Sequence, residues 1–182
     1  FYIKACIGIT IYKCLNIRYT PESFPWFYDK EQWIKYLDML VANRMNSLYL
    51  WNGHPFASLV KLEDYPFALE VDEETFKMNE EMFSFLTEEA DKRGIFVIQM
   101  FYNIILSKPF AEHYGLKTQD RNRPITPLIA DYTRKSIAAF IEKYPNVGLL
   151  VCLGEAMCTV EDDVEWFTKT IIPGVKDGLQ AL

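Results

Sequence analysis

The run of sequence that decides the fold is VGLLVCLGE, at residues 147–155. Pro145-Asn146 precedes it and Gly154 closes it, so its apolar part has the length of one β-strand. A short strand without a polar face is typical of a parallel sheet whose helices pack outside it. In such folds the chemistry lies at the carboxyl ends of the strands, and this strand ends at Glu155. The run therefore predicts a parallel α/β fold and a candidate acid or base.

Strand and helix patterns alternate along the chain. The predicted strands lie within residues 2–12, at 47–51, at 95–101 and in the run that ends at Glu155. The predicted helices begin at Asp29, near Asn79, at Thr126 and at Thr159. Asp29 is followed by Gln32 as in a capping box, and Thr126 is followed by Pro127, which suits the first helical position. The last helix is expected to kink at Pro173-Gly174.

The predicted connections are of two lengths. Those from helix to strand are short, whereas those from strand to helix, residues 52–78 and 102–125, are long. Long loops at one rim of a parallel sheet form binding sites, although they can also be tolerated insertions. This asymmetry favours a site at the carboxyl ends of the strands.

About four βα units fit into the 182 residues, whereas a complete (β/α)₈ barrel needs roughly 250 residues. We therefore expect a partial TIM barrel with parallel strands, with residues 1–182 as a single domain that forms the N-terminal half of a longer chain. Its open strand edge is expected to associate with the remainder of the barrel or with itself. A complete doubly wound domain is the alternative, but the first βα turn lacks a GxGxxG or GxxxxGK[ST] phosphate loop.

Composition excludes several classes of function. The net charge of −6 argues against a nucleic-acid-binding surface. The apolar N-terminal stretch is interrupted by Lys4 and Lys13, so it predicts neither a secretion signal nor a membrane span. The cysteines form no CxxC pair and have few nearby histidines, which argues against a zinc site. They are Cys6, Cys14, Cys152 and Cys158.

Polar and aromatic side chains collect where the second, third and fourth strands end. Amides and imidazole can bind sugar hydroxyls, and an aromatic ring can lie against the apolar face of a pyranose. Glu155 could protonate a glycosidic oxygen if burial raises the pKa of its carboxyl group. The predicted subsite around Glu155 consists of Trp51, Asn52, His54, Tyr102 and Asn103.

Each of these residues also has a structural interpretation. Glu155 would instead pair with an arginine or cap the next helix, and His54 would hold its loop against the rim.

Residues 119–123 are predicted to form a solvated loop, in which Arg121 or Arg123 could also meet an acidic sugar.

The first predicted helix and the second strand carry a family resemblance. Trp33, Tyr36-Leu37-Asp38, Asn43-Arg44-Met45-Asn46 and Leu50-Trp51-Asn52-Gly53-His54 resemble the opening of a glycoside hydrolase TIM barrel. The pattern is similar to the large carbohydrate-active barrels related to α-glucuronidases and β-hexosaminidases, including those of the polysaccharide-degrading systems of gut Bacteroidetes.

The resemblance implies a glycoside hydrolase that acts on an oligo- or polysaccharide without a cofactor, in the periplasm or outside the cell. Glu155 corresponds in position to the acid/base of many retaining enzymes of this kind, although Gly154 stands where many of them have Asn or Asp. The second carboxylate would come from a later strand, so residues 1–182 alone are expected to be inactive.

Two other functions remain open at this point. A sugar lyase or isomerase could use Glu155 and His54 at a metal ion, although these are few ligands for a metal. A carbohydrate-binding barrel without catalysis would keep the aromatic rim and use Glu155 for hydrogen bonds alone.

Overall fold

The computed structural model describes residues 5–6, 18–102, 105–153, 157 and 159–182, and for residues 5–6 it describes the backbone alone. Within these residues, parallel strands form one sheet in which the spatial order equals the order along the chain. The strands are β1 Ala5–Cys6, β2 Ser47–Trp51, β3 Phe96–Tyr102 and β4 Val147–Cys152.

Helices connect the strands and cover one face of the sheet. They are α1 Lys30–Ala42, α2 Phe56–Leu59, α3 Glu73–Lys92, α4 Lys108–His113, α5 Pro127–Lys143, α6 Val160–Trp166 and α7 Ile172–Gln180. Short 3₁₀ turns lie at Pro25–Tyr28 and Pro66–Ala68. None of the helices in the described ranges has the length and hydrophobicity needed to cross a bilayer.

The strand order confirms the predicted fold class. Each strand pairs in parallel with the one before it in the chain, so the described sheet has no point at which the order reverses. A doubly wound sheet has such a reversal, whereas a (β/α)₈ barrel advances in one direction. The chain is therefore a mixed α/β assembly of the type found in part of such a barrel.

The predicted helix starts at Asp29 and Thr126 are confirmed by their hydrogen bonds. The Asp29 carboxylate accepts from the backbone N–H of Gln32 at 3.0 Å. The Thr126 hydroxyl accepts from the N–H of Ile129 at 3.4 Å, with Pro127 as the first helical residue. Both side chains satisfy N–H groups that have no partner within the helix.

The two long loops predicted from the sequence are wrong in part, because each contains a helix. The loop at residues 52–78 includes α2 and the start of α3, and the loop at residues 102–125 includes α4. Helix α3 begins at Glu73 because Asp72 accepts from the N–H of Thr75 at 2.7 Å. Helix α4 begins after Ser107, whose hydroxyl accepts from the N–H of Phe110 at 3.3 Å.

The structure shows a change of helix type just before the predicted kink at Pro173-Gly174. Helix α7 runs through both residues, and a π-helical turn at Phe167–Ile171 precedes it. Proline lacks an N–H and its ring clashes with the carbonyl four residues earlier, so the backbone must adjust before the proline. Widening of the preceding turn is one such adjustment.

The two faces of the sheet differ in their burial. Leu48, Leu50 and Phe101 point toward the helices and belong to the main hydrophobic core. On the opposite face, Phe96 is 57% exposed and Leu150 is 45% exposed. Because successive side chains of a strand point to opposite faces, this open face is the one that would line the inside of a barrel.

Gly178 sets the distance between α7 and α5. A Cβ at this position would lie 2.6 Å from the carbonyl oxygen of Ala138 and 2.7 Å from Cβ of Ile141. We expect Gly178→Ala to lower the free energy of unfolding by about 1–3 kcal/mol, because the overpacking exceeds the gain in helix propensity. Leu179→Ala, at the exposed neighbouring position, is the control for denaturant unfolding. Equal stability of Gly178→Ala and the parent would contradict this packing.

Candidate active site

Three aromatic side chains meet at the carboxyl ends of β2 and β3, on the open face of the sheet. The ring centroids of Tyr49 and Trp51 lie 6.0 Å apart, and those of Trp51 and Tyr102 lie 6.3 Å apart. Trp51 is 37% exposed, and Tyr49 and Tyr102 are partly buried. We call these three side chains the aromatic platform. They present ring surface and phenol groups at the rim where the sequence predicted a site.

The end of β4 adjoins this platform. The parallel register pairs Tyr102 of β3 with Cys152 of β4. Burial is the main cause that raises the pKa of Tyr49, with smaller contributions from Cys152 and Tyr102. The Tyr49 phenol therefore keeps its proton at neutral pH and can donate a hydrogen bond.

The predicted site residue Asn52 is buried and holds the turn after β2. Its side-chain oxygen accepts from the backbone N–H of His54 at 2.9 Å. Asn52 and Gln99 also hydrogen-bond to Tyr19, whose pKa is raised mainly by burial. The structure thus places Asn52 beneath the rim, where it fixes the start of the loop.

Gly53 joins the turn to the neighbouring strand. Its carbonyl accepts from the N–H of Tyr102 at 2.9 Å, so the pairing of β2 with β3 continues beyond Trp51. A Cβ on Gly53 would lie 2.8 Å from the terminal methyl of Ile105. The absence of a side chain at this position leaves room for the side chain of Ile105.

The imidazole of His54 points into the aromatic core between the loop and α5. Its Nε2 atom lies 2.8 Å from the hydroxyl of Tyr132, and its ring packs edge-on against Phe56. Burial lowers the pKa of His54 to about 4. A neutral imidazole nitrogen can accept a hydrogen bond from the Tyr132 hydroxyl. This geometry favours the role in which His54 holds its loop against the rim, one of the two roles that the sequence left open.

The loops after β3 and β4 are bound to each other. The backbone N–H of Met157 donates to the carbonyl of Arg121 at 3.1 Å. The side chain of Met157 packs with Ile105 and Tyr102 in a small cluster at the rim. Met157 has a φ of 89°, a conformation that costs energy for a residue with a side chain. These contacts hold Met157 against the loop that follows β3.

Two predicted site residues, Glu155 and Asn103, lie outside the described residues. The structure describes Leu153 and Met157 on either side of Glu155, and Tyr102 immediately before Asn103. Of the predicted set, the structure brings Trp51 and Tyr102 together on the open face and places Asn52 and His54 below the rim. Within the described ranges, no three His, Cys, Asp or Glu side chains are grouped so as to hold a metal ion.

Tyr49, Ile105 and Met157 were not identified from the sequence. Tyr49 could have been found, because it lies two residues before Trp51 on a strand and so shares its face. Ile105 and Met157 had no such pattern, since their contact joins two irregular loops.

The chain matches no known family profile and no curated protein. Among solved structures it matches one described as a GH138 enzyme targeting pectin rhamnogalacturonan II. The TM-score is 0.89 and the sequence identity is 87%, over 91% of this chain. The chain is therefore similar to part of a glycoside hydrolase. It spans 19% of the length of that GH138 chain, so the likeness concerns one part of that enzyme.

Proposed function

We propose that this chain is part of a glycoside hydrolase that acts on an oligo- or polysaccharide, with Glu155 as the general acid/base. The observation that carries the proposal is the 87% identity to a GH138 enzyme targeting pectin rhamnogalacturonan II. This identity holds over 91% of the chain. A pectic polysaccharide is accordingly the substrate class that we propose.

The aromatic platform supports the carbohydrate part of the proposal. Trp51 and Tyr102 offer adjacent ring surfaces at the rim, and such surfaces suit the apolar face of a pyranose. We propose that these two rings contact the sugar and that Asn103 adds an amide beside Tyr102. Asn52 and His54 shape the subsite from below, through the turn that they hold.

In the proposed reaction, Glu155 gives a proton to the glycosidic oxygen as the bond to the anomeric carbon breaks. The departing sugar leaves as an alcohol and positive charge develops at the anomeric carbon. A second carboxylate either attacks that carbon or activates water. We propose that this group comes from a later strand in another part of the full-length protein.

We also propose that the sheet belongs to a closed barrel. The sequential parallel order and the exposed apolar side chains of Phe96 and Leu150 support this proposal. Further βα units beside β4 would cover that face, since apolar strand surfaces of this kind are otherwise prone to association.

The first test is an assay of the full-length protein with pectin rhamnogalacturonan II. A hydrolase releases reducing ends without forming a double bond. An unsaturated product that absorbs ultraviolet light would indicate a lyase, and binding without any product would indicate a non-catalytic carbohydrate-binding protein. Either result would overturn the proposed reaction.

Trp51→Ala tests the platform. We expect it to weaken sugar binding about 3- to 10-fold, because one ring contact contributes about 0.5–1.5 kcal/mol, while Trp51→Phe should keep most of the affinity. Phe96→Ala is the matched control, since Phe96 lies on the same face at the opposite end of the sheet, away from the rim. Titration with substrate oligosaccharides measures the effect, and equal losses in Trp51→Ala and Phe96→Ala would exclude a specific role for the platform.

A further inference from the structure

Tyr19 lies in the core on the helix-covered side of the sheet. It is 2% exposed, and its ring stacks on Phe27 with the centroids 4.6 Å apart. Its backbone N–H donates to the hydroxyl of Ser58 at 3.4 Å, and its carbonyl accepts from the side-chain amide of Asn79 at 2.9 Å. Packing and backbone contacts therefore hold the Tyr19 ring in place without the help of its hydroxyl group.

The Tyr19 hydroxyl is anchored on the sheet by a buried glutamine. It donates to Oε1 of Gln99 at 3.5 Å, and Gln99 is fully buried. The amide nitrogen of Gln99 donates to the carbonyl of Met100 at 2.9 Å and to that of Leu50 at 3.3 Å. Gln99 is thus tied to both β2 and β3, because turning away would leave buried polar groups without partners.

The hydroxyl also reaches the turn that follows β2, through Asn52. The side-chain oxygen of Asn52 accepts from the N–H of His54 at 2.9 Å, so its NH₂ group is the end that donates to the Tyr19 oxygen. In agreement, this hydrogen bond lowers the pKa of Tyr19 against the larger effect of burial, as a bond accepted by the phenol oxygen does. Tyr19 and His54 together define how the Asn52 amide is oriented.

The turn that Asn52 orders is attached to both rings at the rim. Asn52 directly follows Trp51 in the chain, and the carbonyl of Gly53 accepts from the N–H of Tyr102 at 2.9 Å. A turn in another orientation would lose the bond to Tyr102. Binding groups are held accurately when a further layer of hydrogen bonds locks the residues that carry them.

We propose that Tyr19 is a positioning residue for sugar binding, which acts through Asn52 on the turn between Trp51 and the Gly53–Tyr102 contact. Tyr19 itself does not touch the sugar, because it lies on the opposite side of the sheet from the aromatic platform. This role rests on the proposed function and adds to it a residue that lies far from the platform in the sequence.

The first test compares Tyr19→Phe with Tyr28→Phe in the full-length protein. Tyr19→Phe keeps the ring and removes the hydroxyl, so it should raise KM for oligosaccharides of pectin rhamnogalacturonan II about 2- to 10-fold, the range of one hydrogen bond. The kcat value should stay near that of the parent, since Glu155 is unchanged. Tyr28→Phe is the matched control, because the Tyr28 hydroxyl donates to Asn79 on α3 at 2.5 Å instead of to the turn. It should leave KM unchanged.

A double-mutant cycle tests the route through Asn52. Asn52→Ala should also raise KM, and adding Tyr19→Phe to it should cause no further rise, because the contact between the two side chains is already absent. Effects of the two changes that multiply would overturn this route. So would an unchanged KM in Tyr19→Phe, or an equal rise in Tyr19→Phe and Tyr28→Phe, which would indicate a general loss of stability.

Hydrogen exchange in the sugar-free protein reads the turn directly, including when Asn52→Ala does not fold. The backbone amides of His54 and Tyr102 donate into the turn, so both should exchange about 2- to 10-fold faster in Tyr19→Phe and at the parent rate in Tyr28→Phe. Unchanged exchange of these amides in Tyr19→Phe would overturn the positioning role.

Failure of this inference is distinguishable from failure of the proposed function. Exchange requires neither sugar nor cleavage, so faster exchange in a protein that neither binds nor cleaves the oligosaccharides would overturn the proposed function and the sugar-binding role, while the coupling of Tyr19 to the turn remains. Conversely, hydrolysis with the same KM in Tyr19→Phe and the parent would keep the glycosidase and remove the role of Tyr19.

Discussion

Glu155→Gln is expected to lower kcat by about 10²–10⁴-fold on natural glycosides, the range typical for loss of a positioned general acid. The glutamine amide keeps the shape of the side chain but cannot transfer a proton to the glycosidic oxygen. Aryl glycosides with activated leaving groups scarcely need protonation, so the cleavage step should slow far less for them. Sugar binding should persist, because the platform at Trp51 and Tyr102 is unchanged.

The measurement is kcat for both substrate types in the full-length protein. Glu161→Gln is the matched control, because Glu161 lies in the exposed first turn of α6 after the same strand. If both substrate types slow equally, or if neither slows, Glu155 is not the general acid.

Acidification is expected to destabilise the protein through His54. The pKa of this imidazole is about 4 in the folded state, because burial disfavours the charged form, against 6.5 for an ordinary histidine. Between these two values the unfolded chain binds a proton that the folded protein does not, so stability falls as the pH decreases from 6.5 to 4. This difference between the folded and the ordinary pKa of the imidazole corresponds to about 3 kcal/mol in the free energy of unfolding.

Denaturant unfolding at a series of pH values checks this expectation. His54→Gln should be less stable than the parent near neutral pH, because it disturbs the contact with Tyr132, but its stability should depend less on pH between 6.5 and 4. His113→Gln is the control, since His113 is exposed at the end of α4 and stacks on Phe67. Parallel pH profiles for His54→Gln and the parent would contradict the assignment.

The local signals in the sequence predicted most of the regular structure. Strand β2 lies at the predicted residues 47–51, and the caps at Asp29 and Thr126 lie where the sequence placed them. These features depend on neighbouring residues, so a local pattern is sufficient to identify them. The helices α2 and α4 were missed because each is shorter than two turns and shows too little periodicity.

The sequence alone thus determined the alternation of strands and helices, and with it the placement of Trp51 and Tyr102 at one edge of a parallel sheet. Tertiary structure alone decided which side chains meet there. It directed the imidazole of His54 toward Tyr132, brought Tyr49 beside Trp51, and buried Arg123 beneath its loop. The physical reason is that such contacts join residues far apart in the chain, and side-chain direction and burial depend on packing that no local pattern encodes.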